Sequence, residues 1–268
     1  MLLCPVCGEP MEQGSAVWHC TRGHSFDVAR QGYVNLLPVS QKHSLHPGDT
    51  KSQVAARKRF LDSGHYAPIA AAVKEILHRE APKTLLDVGC GEGYYLAAAA
   101  PQETDAWGVD ISKDAVRYAA VRAPKAHWLV ATATHLPFAE GSFDCLMSMF
   151  ALTAAAEFHR VLRPGGLFVQ VEAHREHLLG LKSIIYPELT AKEEKKASDL
   201  PGFTLEDHRE LDFPIALHSA GEVADLLSMT PHFWRITVEG AARAAATMEL
   251  NDRARVILNL YRRDANAG

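Results

Sequence analysis

Leu85-Leu86-Asp87-Val88-Gly89-Cys90-Gly91-Glu92-Gly93-Tyr94-Tyr95 is the stretch that decides the fold. Its apolar opening reads as a strand, Gly89, Gly91 and Gly93 as a tight turn, and the residues from Tyr95 to Ala100 as the start of a helix. A side chain in such a turn would hold the backbone away from a bound ligand, and the turn itself can demand positive φ. Asp105 to Asp110 reads as a second strand ending in an acid 17 residues after Gly93. At that spacing a carboxylate can accept hydrogen bonds from a ribose diol. A dinucleotide would bring a pyrophosphate to this loop, yet Glu92, with Asp87 ahead of it, places negative charge where the phosphate would lie.

The run Asp87-Val88-Gly89-Cys90-Gly91-Glu92-Gly93 resembles motif I of the class I S-adenosylmethionine methyltransferases, whose ligand carries a sulfonium and an ammonium and no phosphate. The resemblance favours S-adenosylmethionine over NAD. It implies that Asp87, Gly89, Gly91, Glu92, Gly93, Tyr94 and Asp110 bind the cofactor.

Strand and helix alternate downstream. Strands are expected at Thr84 to Val88, Ala106 to Val109, His127 to Val130, Phe143 to Met149 and Leu167 to Val171, with helices at Lys113 to Arg122 and Thr153 to Leu162. This predicts an α/β fold, a parallel sheet with helices on both faces and a ligand beyond the carboxyl ends of its strands. Two late strands, within Phe203 to Leu217 and Val256 to Tyr261, fit the reversed seventh strand of such a sheet. They flank a helix at Ala220 to Met229, and Met229 to Arg235 also reads as strand-like. The expectation is a class I, Rossmann-like sheet of seven mostly parallel strands. Arg163-Pro164-Gly165-Gly166 is expected as a turn before the fifth strand, and Lys192 to Lys196 as a solvated helix face.

The N-terminal segment has different chemistry. Cys4, Cys7, Cys20 and His24, spaced C-x2-C-x12-C-x3-H, offer three thiolates and an imidazole on two short loops, which suits tetrahedral zinc of the closed, structural kind. Four protein ligands leave no open position for a catalytic metal. With few apolar residues the segment depends on the ion for its folding energy. His19 is a competing ligand with poorer spacing, and disulfide or reactive cysteines are the less economical reading.

After the cysteines come His24-x-Phe26-Asp27-x-Ala29-x-x-Gly32-Tyr33-Val34-Asn35-Leu36-Leu37-Pro38, Pro47-Gly48-Asp49, and Ala56-Arg57-x-Arg59-Phe60-Leu61-Asp62-x-Gly64-His65-Tyr66-x-Pro68. Together with the cysteine spacing these resemble the RlmA-type 23S rRNA (guanine-N1)-methyltransferases, over nearly the whole chain. The resemblance implies methylation of guanine N1 in a 23S rRNA hairpin, a homodimer, and a cofactor site bordered by Tyr66 and by His177 of His177-Leu178-x-x-Leu181-Lys182. Without it, Tyr66 reads as a core aromatic and His177 as a surface histidine. Leu136, in the turn after the third strand, either packs on the adenine edge or belongs to a plain turn.

The acceptor is expected near Phe150, Ala151 and Leu152, beyond the fourth strand. Leu152 stands where the family usually has proline, so the loop gains an N–H donor and loses stiffness. No general base is evident, and Asp144 lies at the wrong end of its strand. Competing readings are a small-molecule methyltransferase, against which the zinc module argues, and a non-catalytic RNA-binding protein.

Three segments follow: residues 1–36 as a zinc-binding, RNA-recognising domain, 37–82 as a linker with two helices leading into the cofactor site, and 83–268 as the methyltransferase domain. In the first 60 residues Arg22, Arg30, Lys42, Lys51, Arg57, Lys58 and Arg59 outnumber Glu9, Glu12, Asp27 and Asp49. These cations are candidates for phosphate contacts, and Trp18, Phe26 and Tyr33 for base stacking. Net charge is −4, so the molecule as a whole does not attract nucleic acid. No apolar run of membrane-spanning length and no signal peptide is evident, and Cys90 and Cys145 read as small buried residues, so a cytoplasmic location is expected.

Overall fold

The structure, a computed structural model, describes residues 2–41, 47–189 and 199–265. Lys42 and the charge run Lys192 to Lys196 lie outside the described residues. The chain opens with three short strands, β1 (Met11–Gln13), β2 (Val17–Cys20) and β3 (Ser25–Asp27), in an antiparallel sheet of order β1-β2-β3. Next come β4 (Tyr33–Asn35) and two helices, α1 (Lys51–Asp62) and α2 (Ala67–Glu80). The α1 start is a capping box: Thr50 accepts from the Gln53 backbone N–H, and the Gln53 side chain accepts from the Thr50 N–H. Pro68 opens α2, and Ala81 closes it at φ 44°.

The central unit runs β5 (Thr84–Val88), α3 (Tyr94–Ala99), β6 (Asp105–Asp110), α4 (Lys113–Arg122), β7 (His127–Val130), β8 (Phe143–Met149), α5 (Ala155–Val161) and β9 (Leu162–Ala173). It continues through α6 (Leu179–Ile185), β10 (Phe203–Leu217), α7 (Ala220–Ser228), a 3-10 turn (Pro231–Trp234), α8 (Val238–Ala246) and β11 (Leu250–Arg263). The second sheet has the order β10-β11-β9-β8-β5-β6-β7-β4. Pairings from β9 through β5 to β4 are parallel, whereas β11 runs antiparallel to both β9 and β10.

Period-two alternation sorts the strand side chains into two cores, one on each face. Leu85, Cys145, Met147 and Val169 join one cluster; Leu86, Val88, Leu146 and Phe168 join the other.

Three sequence expectations need correction. The sheet has eight strands rather than seven, because Tyr33–Asn35 pairs in parallel with Trp128–Val130 at the sheet edge. Met229 to Arg235 is not strand-like: Pro231 fixes φ at the start of a 3-10 turn that ends at Trp234. Arg163 to Gly166 falls within the bounds of β9, with Gly165 at φ 73°.

Candidate functional site

Four residues of the N-terminal module converge. Among the described residues, Cys4, Cys7, Cys20 and His24 form the one Cys/His/Asp/Glu group with metal-site geometry, their ligand atoms all within 4.8 Å of one another. Cys7 Sγ lies 3.7 Å from Cys20 Sγ, and His24 Nδ1 lies 3.4 Å from Cys20 Sγ and 3.6 Å from Cys4 Sγ. Bonds of about 2.3 Å to sulfur and about 2.0–2.1 Å to nitrogen, at tetrahedral angles, give separations of roughly 3.5–3.8 Å, so zinc fits. His19 is exposed on the other face of β2 and outside this group. Burial pushes the Cys20 thiol up, but the backbone N–H groups of His24 and Arg22, helped by the His24 ring, outweigh it and bring the thiol to about 6. A thiolate at neutral pH is what zinc ligation requires.

At the carboxyl ends of the strands lies a cavity of about 540 Å³. Of the sequence-predicted residues, Tyr66, Asp87, Gly89, Gly91, Glu92, Asp110, Phe150, Ala151 and His177 line it; Gly93, Tyr94, Leu136 and Leu152 do not. Gly93, at φ 80°, packs the loop instead: a Cβ there would meet Trp128 at 2.8 Å and Ala119 at 2.9 Å. Leu136 is buried beside Leu2 and Phe138. Leu152 is 65% exposed, so the side chain at the family's proline position is outside the cavity lining.

The floor is acidic. Asp110 accepts from the Gly91 N–H at 2.9 Å through one oxygen and from the Ser112 N–H at 2.8 Å through the other, tying the glycine loop to the end of β6. Asp87 is only 1% exposed, and neither of its carboxylate oxygens has a hydrogen-bond partner; Glu92 Oε1 has no hydrogen bond either, with the Arg122 guanidinium 3.7 Å away. Burial raises all three carboxyls, and for Asp87 the neighbouring Asp110 and Glu92 add to it. A cationic ligand carrying a ribose fits such a floor and a phosphate does not.

Another part of the lining is aromatic. Tyr66 Oη and His177 Nε2 share a hydrogen bond of 3.0 Å, and the Tyr66, Phe150 and His177 rings stand 6.0 to 6.1 Å apart, centre to centre. Phe150 is held at φ 57° and Leu178 at φ 56°, left-handed conformations that cost a non-glycine residue roughly 1–3 kcal/mol and gather at functional sites. Burial lowers His177 to about 4, against the pull of the Arg255 carbonyl.

Sequence reasoning missed Arg57 and Asp49 as cavity residues. They form an ion pair over the glycine loop, with Arg57 against Gly91. Pro47-Gly48-Asp49 was a signal within the family pattern, but it carried no role. The segment from Met229 to Arg235 was also missed: Met229, Thr230, Pro231, His232 and Arg235 line the cavity. Asp144 accepts from the Lys83 and Thr84 backbone N–H groups and pairs with Arg163, so its work is structural.

Asp87→Asn tests the acidic floor. A carboxyl whose folded pKa is raised contributes stability that is fully present below the ordinary carboxylate range and lost as pH rises through the raised value. At pH 8 the ligand-free protein therefore carries the cluster as a burden. The variant is expected to melt about 2–4 °C higher without ligand and to bind S-adenosylmethionine roughly tenfold or more weakly, from losing a charged partner. Scanning fluorimetry and calorimetry measure the two effects, and unchanged affinity would remove Asp87 from the site.

The strand order, the reversed β11 and the acidic glycine loop define a class I S-adenosylmethionine-dependent methyltransferase. Two family models match the chain: "RlmA, N-terminal" over residues 2–45 and "Methyltransferase domain" over residues 86–170. A Micromonospora griseorubida protein, provisionally named a 23S rRNA (guanine-N(1)-)-methyltransferase, is 39% identical over 203 residues, which is 67% of this chain and 68% of that protein. The 23S rRNA (guanine(748)-N(1))-methyltransferase of Streptomyces fradiae is 40% identical over 187 residues, 67% of this chain and 66% of that enzyme. A Bacillus subtilis relative is 29% identical over 248 residues, 87% of each chain. The chain belongs to the RlmA-type 23S rRNA (guanine-N1)-methyltransferase family. Among the described residues no helix is long and apolar enough to cross a membrane.

Proposed function

We propose that this enzyme transfers a methyl group from S-adenosylmethionine to N1 of a guanine in a hairpin loop of 23S rRNA, acting in the cytoplasm. One observation carries the reading beyond kinship: carboxylates suited to a cationic cofactor and aromatic rings suited to a flat base line one cavity. In this reading Asp110 holds the ribose, while Asp87 and Glu92 oppose the positive charge. Gly89, Gly91 and Gly93 shape the loop, with Tyr94 at its exit. Bound S-adenosylmethionine supplies an electrophilic methyl on a sulfonium, open to in-line displacement.

The protein's contribution is alignment and exclusion of water. Phe150 and Ala151 face the acceptor. His177, near 4, is neutral at physiological pH and poorly suited to taking up the guanine N1 proton, so it acts with Tyr66 as a positioning pair. Cys4, Cys7, Cys20 and His24 hold a structural zinc in residues 1–36, ahead of the linking segment 37–82 and the methyltransferase domain 83–268. The homodimer is supported by the family resemblance alone.

The test is transfer of labelled methyl to 23S rRNA hairpin fragments and to a small-metabolite extract, with the product nucleoside identified by mass spectrometry. 1-Methylguanosine is the expected product. Label confined to a metabolite would replace this reading with a small-molecule methyltransferase, and label in neither would favour a non-catalytic RNA-binding protein.

A further inference from the structure

The cations and rings of the N-terminal half are mostly engaged within the protein. Arg57 pairs with Asp49, Lys58 with Asp62, Arg22 with Glu9, and Arg59 grips Asp225 through two hydrogen bonds. Trp18 packs edge-on against Trp107, and Tyr33 is buried in the core. The 3-10 turn between α7 and α8 is different. Trp234 is 69% exposed and Phe233 38%, and among the described residues the only ring packed on Trp234 is that of Phe233, 5.2 Å away and nearly perpendicular.

The turn itself is held firmly. Thr230 Oγ1 donates to the Leu227 carbonyl, the Tyr186 hydroxyl and His232 Nδ1 share a hydrogen bond of 2.8 Å, and the Arg235 N–H donates to the His232 carbonyl. Pro231, His232 and Arg235 of the same segment line the cavity, so the exposed indole is flanked along the chain by cavity residues. Among the described residues Arg235 has no ion-pair partner.

We infer that Trp234 is a stacking platform for an unpaired base flanking the target guanine, and that Arg235 meets the adjoining phosphate. A flat, exposed indole next in sequence to an arginine that lines the cavity matches the chemistry of single-stranded RNA: a π-face for a base and a cation for the backbone. A hairpin loop offers both at one nucleotide spacing. The assignment rests on the rRNA reading and locates loop recognition on the methyltransferase domain itself.

The test compares wild type, Trp234→Ala, Trp234→Phe and Arg235→Gln on a 23S rRNA hairpin that the wild type methylates. Trp234→Ala is expected to raise KM for the hairpin about tenfold, a stacked base's worth, with S-adenosylmethionine affinity unchanged, and Trp234→Phe to recover most of the loss. Arg235→Gln should lower the slope of log affinity against log salt by about one. An unchanged KM in Trp234→Ala would overturn the inference. So would lost cofactor affinity, which makes Trp234 part of the cofactor pocket, or a dimer that falls apart with RNA binding intact, which makes the surface a contact between copies. Failure of the wild type to methylate any RNA would instead count against the rRNA reading.

Discussion

Cys4→Ser is expected to release the zinc and unfold the N-terminal module while S-adenosylmethionine binding persists. Structural zinc supplies on the order of 10 kcal/mol of folding free energy to modules of this kind, as much as the whole stability of an ordinary domain, about 5–15 kcal/mol. Of the residues it buries against the rest of the protein, Cys4 and Cys20 belong to the Cys/His cluster, and Tyr33, Val34 and Leu36 lie in or just after β4, which leaves Leu2 and Met11 as the apolar anchors of its first 30 residues. The cofactor loop is built on β5 and β6, with Asp110 bonded to the Gly91 N–H, and none of the four metal ligands lines the cavity. Metal analysis of the wild type, limited proteolysis and calorimetry give the three readouts. A wild type without zinc, or a variant whose first 36 residues resist protease as well as the wild type's, would count against the metal's role.

Gly89→Ala should abolish most turnover. Gly89 sits at φ 76°, its N–H bonded to the Val109 carbonyl, and an added Cβ would lie against Ala151 Cβ well inside 3.0 Å. Ala151 follows Phe150, whose backbone is already left-handed, so the loop has little freedom to yield. Relief requires a shift on the order of 1 Å at the acceptor wall, and a misplacement of that size costs about a hundredfold in rate. The left-handed backbone adds a stability loss of roughly 1–2 kcal/mol. Adding Ala151→Gly should restore part of the rate through direct coupling. A single variant with wild-type turnover would show that the approach of Gly89 to Ala151 does not set the acceptor geometry.

How much of this was legible in the sequence depended on where each partner lies. The Cys/His cluster and the glycine loop could be read because their partners are close along the chain: one Cys–Cys pair and one Cys–His pair make the cluster, and one strand-turn-helix makes the loop. The eighth strand could not. Tyr33–Asn35 is three residues long, and its partner Trp128–Val130 lies far along the chain, so local pattern had nothing to register. Arg57 and Arg59 read as phosphate contacts because their carboxylate partners, Asp49 and Asp225, are set by tertiary structure. Met229 to Arg235 misled through its aromatic residues, which suit strands, although Pro231 favoured a turn start. Leu152 looked like a change within the acceptor pocket, yet only the folded chain could place its side chain outside the lining.

The pairing of β4 with β7 gives the metal a second office. Strand β4 occupies one side of β7, taking up backbone groups that would otherwise lie bare along Trp128–Val130. A bare, apolar strand edge is a template for pairing with another chain. Loss of zinc would therefore do more than loosen a small module: as residues 33–35 peel away, the large sheet becomes adhesive, and the damage spreads from one molecule to its neighbours. Light scattering on the Cys4→Ser variant reports this, and a solution that stays monodisperse while its first 36 residues are digested would show that β7 is guarded by something else.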